Sequence, residues 1–445
     1  MTYKFAKARF DSISIRNHPQ RDFIQNVLAS TFDSINPYDA VKKYLQKQLP
    51  VDYFENLSAS SKPAGRSRVF AFGLGKAALA MTQAVADEIP LTDSLIITKH
   101  ASPLTFQPAT VILGNHPIPG DASLQAGIVA KKFLSQLTKD DLLICLISGG
   151  GSALMTAPLI PLIDLQKLTS LFLESGANID EINTLRRHLD ELKGGGVAQF
   201  ANGAKIISLI LSDVVGDSLE AIASGITAPD ATTKADAIAI LEKYNLKDKI
   251  PSSVVSAFKE TLKAENPLFS RVTNTIVGSN QIALEFARSQ IKAVDKNFQT
   301  KVINNVLQGE AQDVGRQLAF QFKEALQTTK RPFCLLAGGE TTVTIKGDGK
   351  GGRNQELALA TVNELAGLKN VMMISIATDG EDGPTDAAGA VVTGETAQRA
   401  ESLGLEVTGY RLRNDAYHFF EKLDDLIKTG PSGTNVNDLV FCFAF

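Results

Sequence analysis

The feature that most constrains this chain is a recurring pair: a short apolar run ends at glycines, and an amphipathic segment follows. The runs are VFAF (Val69 to Phe72), SLIIT (Ser94 to Thr98), TVIL (Thr110 to Leu113), LLICLI (Leu142 to Ile147) and IISLIL (Ile206 to Leu211). Most are rich in β-branched residues and bounded by Gly, Asn, Asp or Ser. Consecutive apolar residues in so short a run are the mark of a strand buried on both faces, as parallel strands are. Helical stretches such as LQAGIVAKKFLSQL after Asp121 separate most of them, so the alternation predicts an α/β fold with a parallel sheet. The pattern weakens after Asp230, where Lys234 to Tyr244 and Val254 to Ala264 read as helices and Asn266-Pro267 interrupts. It restarts at Thr273 to Asn280, Lys301 to Val306, Phe333 to Ala337 and Val371 to Ala377. Two α/β domains are therefore expected, 1–270 and 271–445, with the boundary near Arg271.

Composition narrows the class. Apolar residues are 44% and charged residues 21%, ample for a large core. Lys+Arg 45 against Asp+Glu 48 leaves a net charge of -3, with no basic footprint for nucleic acid. The three cysteines, Cys145, Cys334 and Cys442, are too dispersed for a disulfide framework or a thiolate metal site. No apolar run approaches the roughly 18 residues of a membrane span, and the N-terminus lacks an apolar signal region. A soluble cytoplasmic protein is expected, as monomer or homodimer, with small-molecule partners rather than nucleic acid or membrane.

The turns carry the chemistry. In FGLGKAA, Gly73 and Gly75 stand between a strand and a helix, where backbone N–H groups can face an anion, and Lys76 adds a point charge. The loop is not a Walker A sequence; it fits the looser dinucleotide pattern, with Ala78 in the third small position. The following strand ends at Lys99 and His100 rather than an acidic residue, which weighs against NAD and leaves NADP open. Taken alone, this motif is better explained as a tight structural turn with a solvated lysine. SGGGS is stronger: Ser148, Gly149, Gly150, Gly151 and Ser152 offer an anion nest with two hydroxyls. In LRRHLDELKGGG, Arg187 is a candidate anion ligand, although cations in a last helical turn also complement the dipole. Asp213 lies just past a buried strand, where α/β ligand sites are found.

The second half repeats the theme. Glu340 follows a strand and two glycines, and Lys350, Arg353 and Asn354 sit on GDGKGGRNQE at the start of a helix. Arg353 can fork onto phosphate or carboxylate oxygens. TDGEDGPTDAAG gathers Asp379, Glu381, Asp382 and Asp386 among glycines, a composition suited to Mg²⁺, with Asp379 and Asp386 as its expected ligands. Anion nests, cations and a carboxylate cluster together describe phosphoryl transfer.

On FGLGKAA, GNHPIPG, SGGGSAL, LRRHLDELKGGG, SDVVGDSLEAIASG, GGETTV, GKGGRNQELAL, TDGEDGPTDAAG and GPSGTNVND, the chain resembles the glycerate 2-kinase family from about Val69 onward. The resemblance implies a Rossmann-like parallel sheet in the first domain and a smaller α/β domain containing the MOFRL region at about 333–440. It implies ATP-dependent phosphorylation of D-glycerate to 2-phosphoglycerate with Mg²⁺. Lys76 and Arg353 are then the active-site cations, one from each domain, across an interdomain cleft. Relatives have also carried the label hydroxypyruvate reductase, so an NAD(P)H-dependent reductase is the alternative. Ile226, Gly120 and Ser432 depart from the residues usual in the family at those positions.

Overall fold

A computed structural model describes residues 5–48, 68–101, 103 and 105–445. They form two compact units: Pro37–Val277, and Met1–Asn36 joined with Gly278–Phe445. Residues 5–36, read from sequence with the first domain, therefore pack within the second unit.

In the unit Pro37–Val277, six strands lie in the order β3-β2-β1-β4-β5-β6. They are β1 (Val69–Leu74), β2 (Asp93–Thr98), β3 (Thr110–Leu113), β4 (Leu142–Ile147), β5 (Lys205–Leu211) and β6 (Val272–Gly278). The ladders joining β3, β2, β1, β4 and β5 are all parallel. Every residue of β1 and β4 is buried, as their unbroken apolar runs demand, while the edge strand β3 is not. Phe70, Phe72, Leu143 and Cys145 pack against Ala126, Ala130 and Phe133 of the helix Asp121–Ser135.

One expected helix is shorter than its sequence suggests. Val254 to Ala264 was expected to be helical, but the helix Ser252–Ala257 stops at Phe258, whose backbone turns extended (φ -58°, ψ 125°). Phe258 is buried there, and the segment after it joins its neighbours backbone to backbone, Lys259 N–H to the His188 carbonyl and Asp230 N–H to that of Leu262. Tertiary pairing overrides a merely permissive helical pattern.

The second unit has a six-stranded mixed sheet in the order β11-β10-β9-β12-β8-β7. Its members are β7 (Gln299–Leu307), β8 (Phe333–Gly339), β9 (Val371–Ala377), β10 (Gly389–Thr393), β11 (Leu426–Ile427) and β12 (Asp438–Ala444). Only β7 and β8 pair in parallel. The N-terminal segment closes on this unit: Phe23 stacks on Phe298 at 5.2 Å and meets Phe443 edge-on. Ser14 donates to Asp425, and Thr434 donates to the Ile35 carbonyl.

Candidate active site

In the parallel sheet the winding reverses between β1 and β4, with β2 and β3 beyond one and β5 beyond the other. In open α/β sheets, ligands bind outside the carboxyl ends of strands at such a reversal. The turns after β1, β4 and β5 meet there and interlock. Lys76 N–H donates to the Gly149 carbonyl, Ser148 N–H to the Leu74 carbonyl, and Ala77 N–H to Ser148 Oγ, each at about 3 Å. Gly75 has φ +125°, and a Cβ there would lie 2.3 Å from Ser148 Oγ, so only glycine allows the closure. Gly73 instead admits the helix Ala78–Glu88, since a Cβ on it would sit 2.7 Å from Thr82 Oγ1.

Three polar side chains ring the glycine turn. Asp213 rests directly on Gly149, where a Cβ would come within 1.9 Å of Oδ2. His116 and Lys76 flank Gly150, whose missing Cβ would lie 3.2 Å from His116 Nε2 and 3.5 Å from Lys76 Cε. Lys76 is exposed, while His116 and Asp213 are half-buried. Burial pushes the Asp213 carboxyl above its ordinary value, opposed by the Lys76 charge. Burial, then Lys76 and Lys99, push the His116 imidazole below its ordinary value, so it is neutral at pH 7. A neutral imidazole, an exposed ammonium and a carboxylate thus surround the glycine turn. His116 was not singled out from sequence; its signal was a histidine held between Gly114 and Pro117 in a turn.

Ser152 sits one residue past this turn, with its Oγ 2.9 Å from Ser224 Oγ. Ala223 and Ser224 are both left-handed (φ 49° and 57°), a strained pair of non-glycine residues against Gly151. Arg187 stands apart from the nest. It is 4% exposed, with Nε 3.0 Å from Asp230 Oδ2 in an ion pair not aligned as a hydrogen bond. Its other nitrogens donate to the Glu220 carbonyl and to Thr184 and Thr232. Those contacts occupy its fork within the fold.

In the other unit Arg353 opens the helix Arg353–Leu365. Its Nε and Nη2 donate to the two oxygens of Asp438 at 2.6 and 3.1 Å, and Nη1 donates to Glu340 at 2.8 Å. Burial alone would lower its pKa, but Asp438 and Glu340 raise it, so the guanidinium is a fixed charge. Asn354 is buried: its amide donates to Asp382, and its Oδ1 accepts from Ser375. Asp382 caps the helix by accepting the Asn354 and Gln355 N–H groups. Burial raises its carboxyl to about 7, and raises Glu356 likewise to about 7. Asp379 accepts the Glu381 N–H and is half-buried. Asp386 accepts from the Tyr417 hydroxyl and pairs with Lys428 at 3.0 Å. Among the described residues no three His, Cys, Asp or Glu side chains form a ready metal cage. None of their helices is long and apolar enough to cross a membrane.

Residues 23–259 match the model of a domain of unknown function (DUF4147), and residues 333–438 match the MOFRL family. The chain is 39% identical to the D-glycerate 2-kinase of Thermotoga maritima, over 84% of this chain and 90% of that protein. It is also 39% identical to the glycerate 2-kinase of Pyrococcus horikoshii, over 84% and 87%. The crystal structure of the Thermotoga maritima glycerate kinase superposes with a TM-score of 0.85 at 36% identity, covering 94% of this chain and 98% of that one.

Proposed function

We propose roles for these residues from one premise: the chain belongs to the glycerate 2-kinase family. Its reaction is the ATP-dependent phosphorylation of D-glycerate at the 2-hydroxyl, giving 2-phosphoglycerate and ADP. The observation that carries the assignment of the site is the glycine turn at the winding reversal, ringed by Lys76, His116 and Asp213.

In the proposed reaction the 2-hydroxyl oxygen forms a bond to the γ-phosphorus, and the bond from that phosphorus to the ADP oxygen breaks. The hydroxyl proton passes to the neutral His116 imidazole, the role its depressed pKa suits. N–H groups of the Gly149–Gly151 turn hold phosphate oxygens, with Ser148 fixing the turn. Lys76 follows the charge that spreads over the moving phosphoryl oxygens. Arg353, in the MOFRL half, is the second cation proposed for the reaction. Glu340 and Asp438 hold its fork in one orientation.

The residues expected for magnesium fit unequally. Asp379 offers a half-buried carboxylate with one backbone hydrogen bond, whereas Asp386 is already neutralised by Lys428. Magnesium commonly takes one or two carboxylates and completes its shell with phosphate and water, so Asp379 suffices as a protein ligand. When bound, the ion neutralises phosphate charge. Asp213 is the competing carboxylate.

The test is ADP release by the purified chain with D-glycerate, ATP and Mg²⁺, run beside NAD(P)H oxidation with hydroxypyruvate. Glycerate-dependent ADP release is expected. Nicotinamide oxidation without ADP release would replace the kinase by the reductase.

A further inference from the structure

The arginine next to Arg187 is in the opposite situation. Arg186 is half-buried, and among the described residues its one hydrogen bond goes to Asn183 Oδ1 at a long 3.5 Å. It has no carboxylate partner there. Three other arginines do have one: Arg187 has Asp230, Arg353 has Asp438, and Arg399 has Asp425. A guanidinium does not discharge by losing its proton, so a desolvated one without an anion is costly unless a ligand supplies the anion.

Arg186 lines a narrow cleft of about 10 Å³, room for about one water, with Ser152, Thr156, Asp190, Lys193 and Pro119. The one carboxylate among these residues is satisfied. Asp190 accepts from Lys193 Nζ at 2.9 Å, from the Thr156 hydroxyl and from the Ala157 and Leu192 N–H groups. Lys193 and Asp190 cancel, so the cleft keeps one net positive charge, on Arg186. Ser152 connects this cleft to the nest, because it follows Gly151 directly in the chain.

The substrate has a matching shape. In D-glycerate the carboxylate carbon is bonded to C2, whose hydroxyl receives the phosphoryl group. A receptor for that carboxylate must therefore lie a few ångströms from the phosphate nest. We propose that Arg186 is the carboxylate receptor for D-glycerate, with the Ser152 hydroxyl as its neighbour in the cleft, a reading that rests on the kinase assignment. Arg186 makes the enzyme selective for a 2-hydroxy acid over the corresponding ester, and Arg187 serves the fold.

The experiment measures KM and kcat for R186Q, R186K and R187Q of the full chain with D-glycerate and with methyl D-glycerate, following ADP. Binding of D-glycerate alone is followed by its shift of the unfolding temperature. R186Q should raise KM for D-glycerate about 10²-fold, the size expected for two charge-assisted hydrogen bonds, and leave KM for ATP within twofold. Its preference for the acid over the ester should collapse. R186K should raise KM about tenfold, because an ammonium lacks the planar fork. R187Q should lower thermal stability and leave the acid-to-ester preference intact. An R186Q protein with KM for D-glycerate within threefold of wild type and unchanged preference would overturn the proposal. If R186Q does not fold, an R186K KM within threefold does the same. Wild type that binds D-glycerate without releasing ADP would sink the kinase assignment alone, and loss of that binding in R186Q would still support the receptor. No binding and no release would sink both.

Discussion

Lys76 and Arg353 carry the same charge in opposite settings, one exposed on a turn and the other clamped by two carboxylates. Lys76→Ala should lower kcat by about 10²-fold with little change in thermal stability, since it removes a stabiliser of developing charge and no packing. Arg353→Ala should lower kcat by a similar factor and also cost about 3 kcal/mol, because Asp438 would be left buried and unpaired. Arg353→Lys should rescue little of either. Activity and thermal unfolding measured together separate the two cases. His116 adds a pH test: its pKa is below the ordinary value, so the acid limb of kcat/KM should fall below pH 6.5 and disappear in His116→Gln. A limb unchanged in that variant would move the proton to another acceptor. At this scale the sequence indicated residue types better than assignments. In LRRH the sequence pointed to Arg187 as the anion ligand, but neighbouring helical side chains diverge by about 100°, and only the fold shows that Arg187 is the one that meets Asp230.

At the scale of elements, the turns were the most legible part of the chain because glycine runs after apolar strands have few purposes. Gly149→Ala should force Asp213 off the turn, costing on the order of 2 kcal/mol and most of the activity, as read by denaturant unfolding and ADP release. The strands from β1 to β9 also lie where their apolar runs placed them, whereas β10 and β11 went unread: β11 is two residues long and too short to show a period. The helix Arg353–Leu365 yields a pH prediction. Its cap Asp382, and Glu356 one turn on, have folded-state pKa values of about 7, above those of the unfolded chain. Between pH 4 and 7 the folded protein therefore binds more protons, so unfolding free energy should fall as pH rises through that window and level off above it. Asp382→Asn should flatten part of that slope in urea titrations at several pH values. An identical slope would place the titration elsewhere.

At the scale of the molecule, the unit Pro37–Val277 is an insertion between residues 1–36 and the rest of their unit. Sequence reading missed this because a helical lead-in has no strand to reveal its sheet, and its burial depends on Phe298 and Phe443, hundreds of residues away. Deleting residues 1–36 should strip that aromatic cover and lower the unfolding temperature of the MOFRL-containing unit, as calorimetry would record. The order of its sheet has a consequence for biosynthesis. β12 follows every other strand of the unit in the chain, yet it lies between β9 and β8 and completes both antiparallel ladders. A nascent chain leaving the ribosome thus carries two half-sheets with open facing edges until that strand emerges. Premature termination before Asp438 would leave those edges exposed, which is the condition under which chaperones are recruited and edge-to-edge aggregation begins.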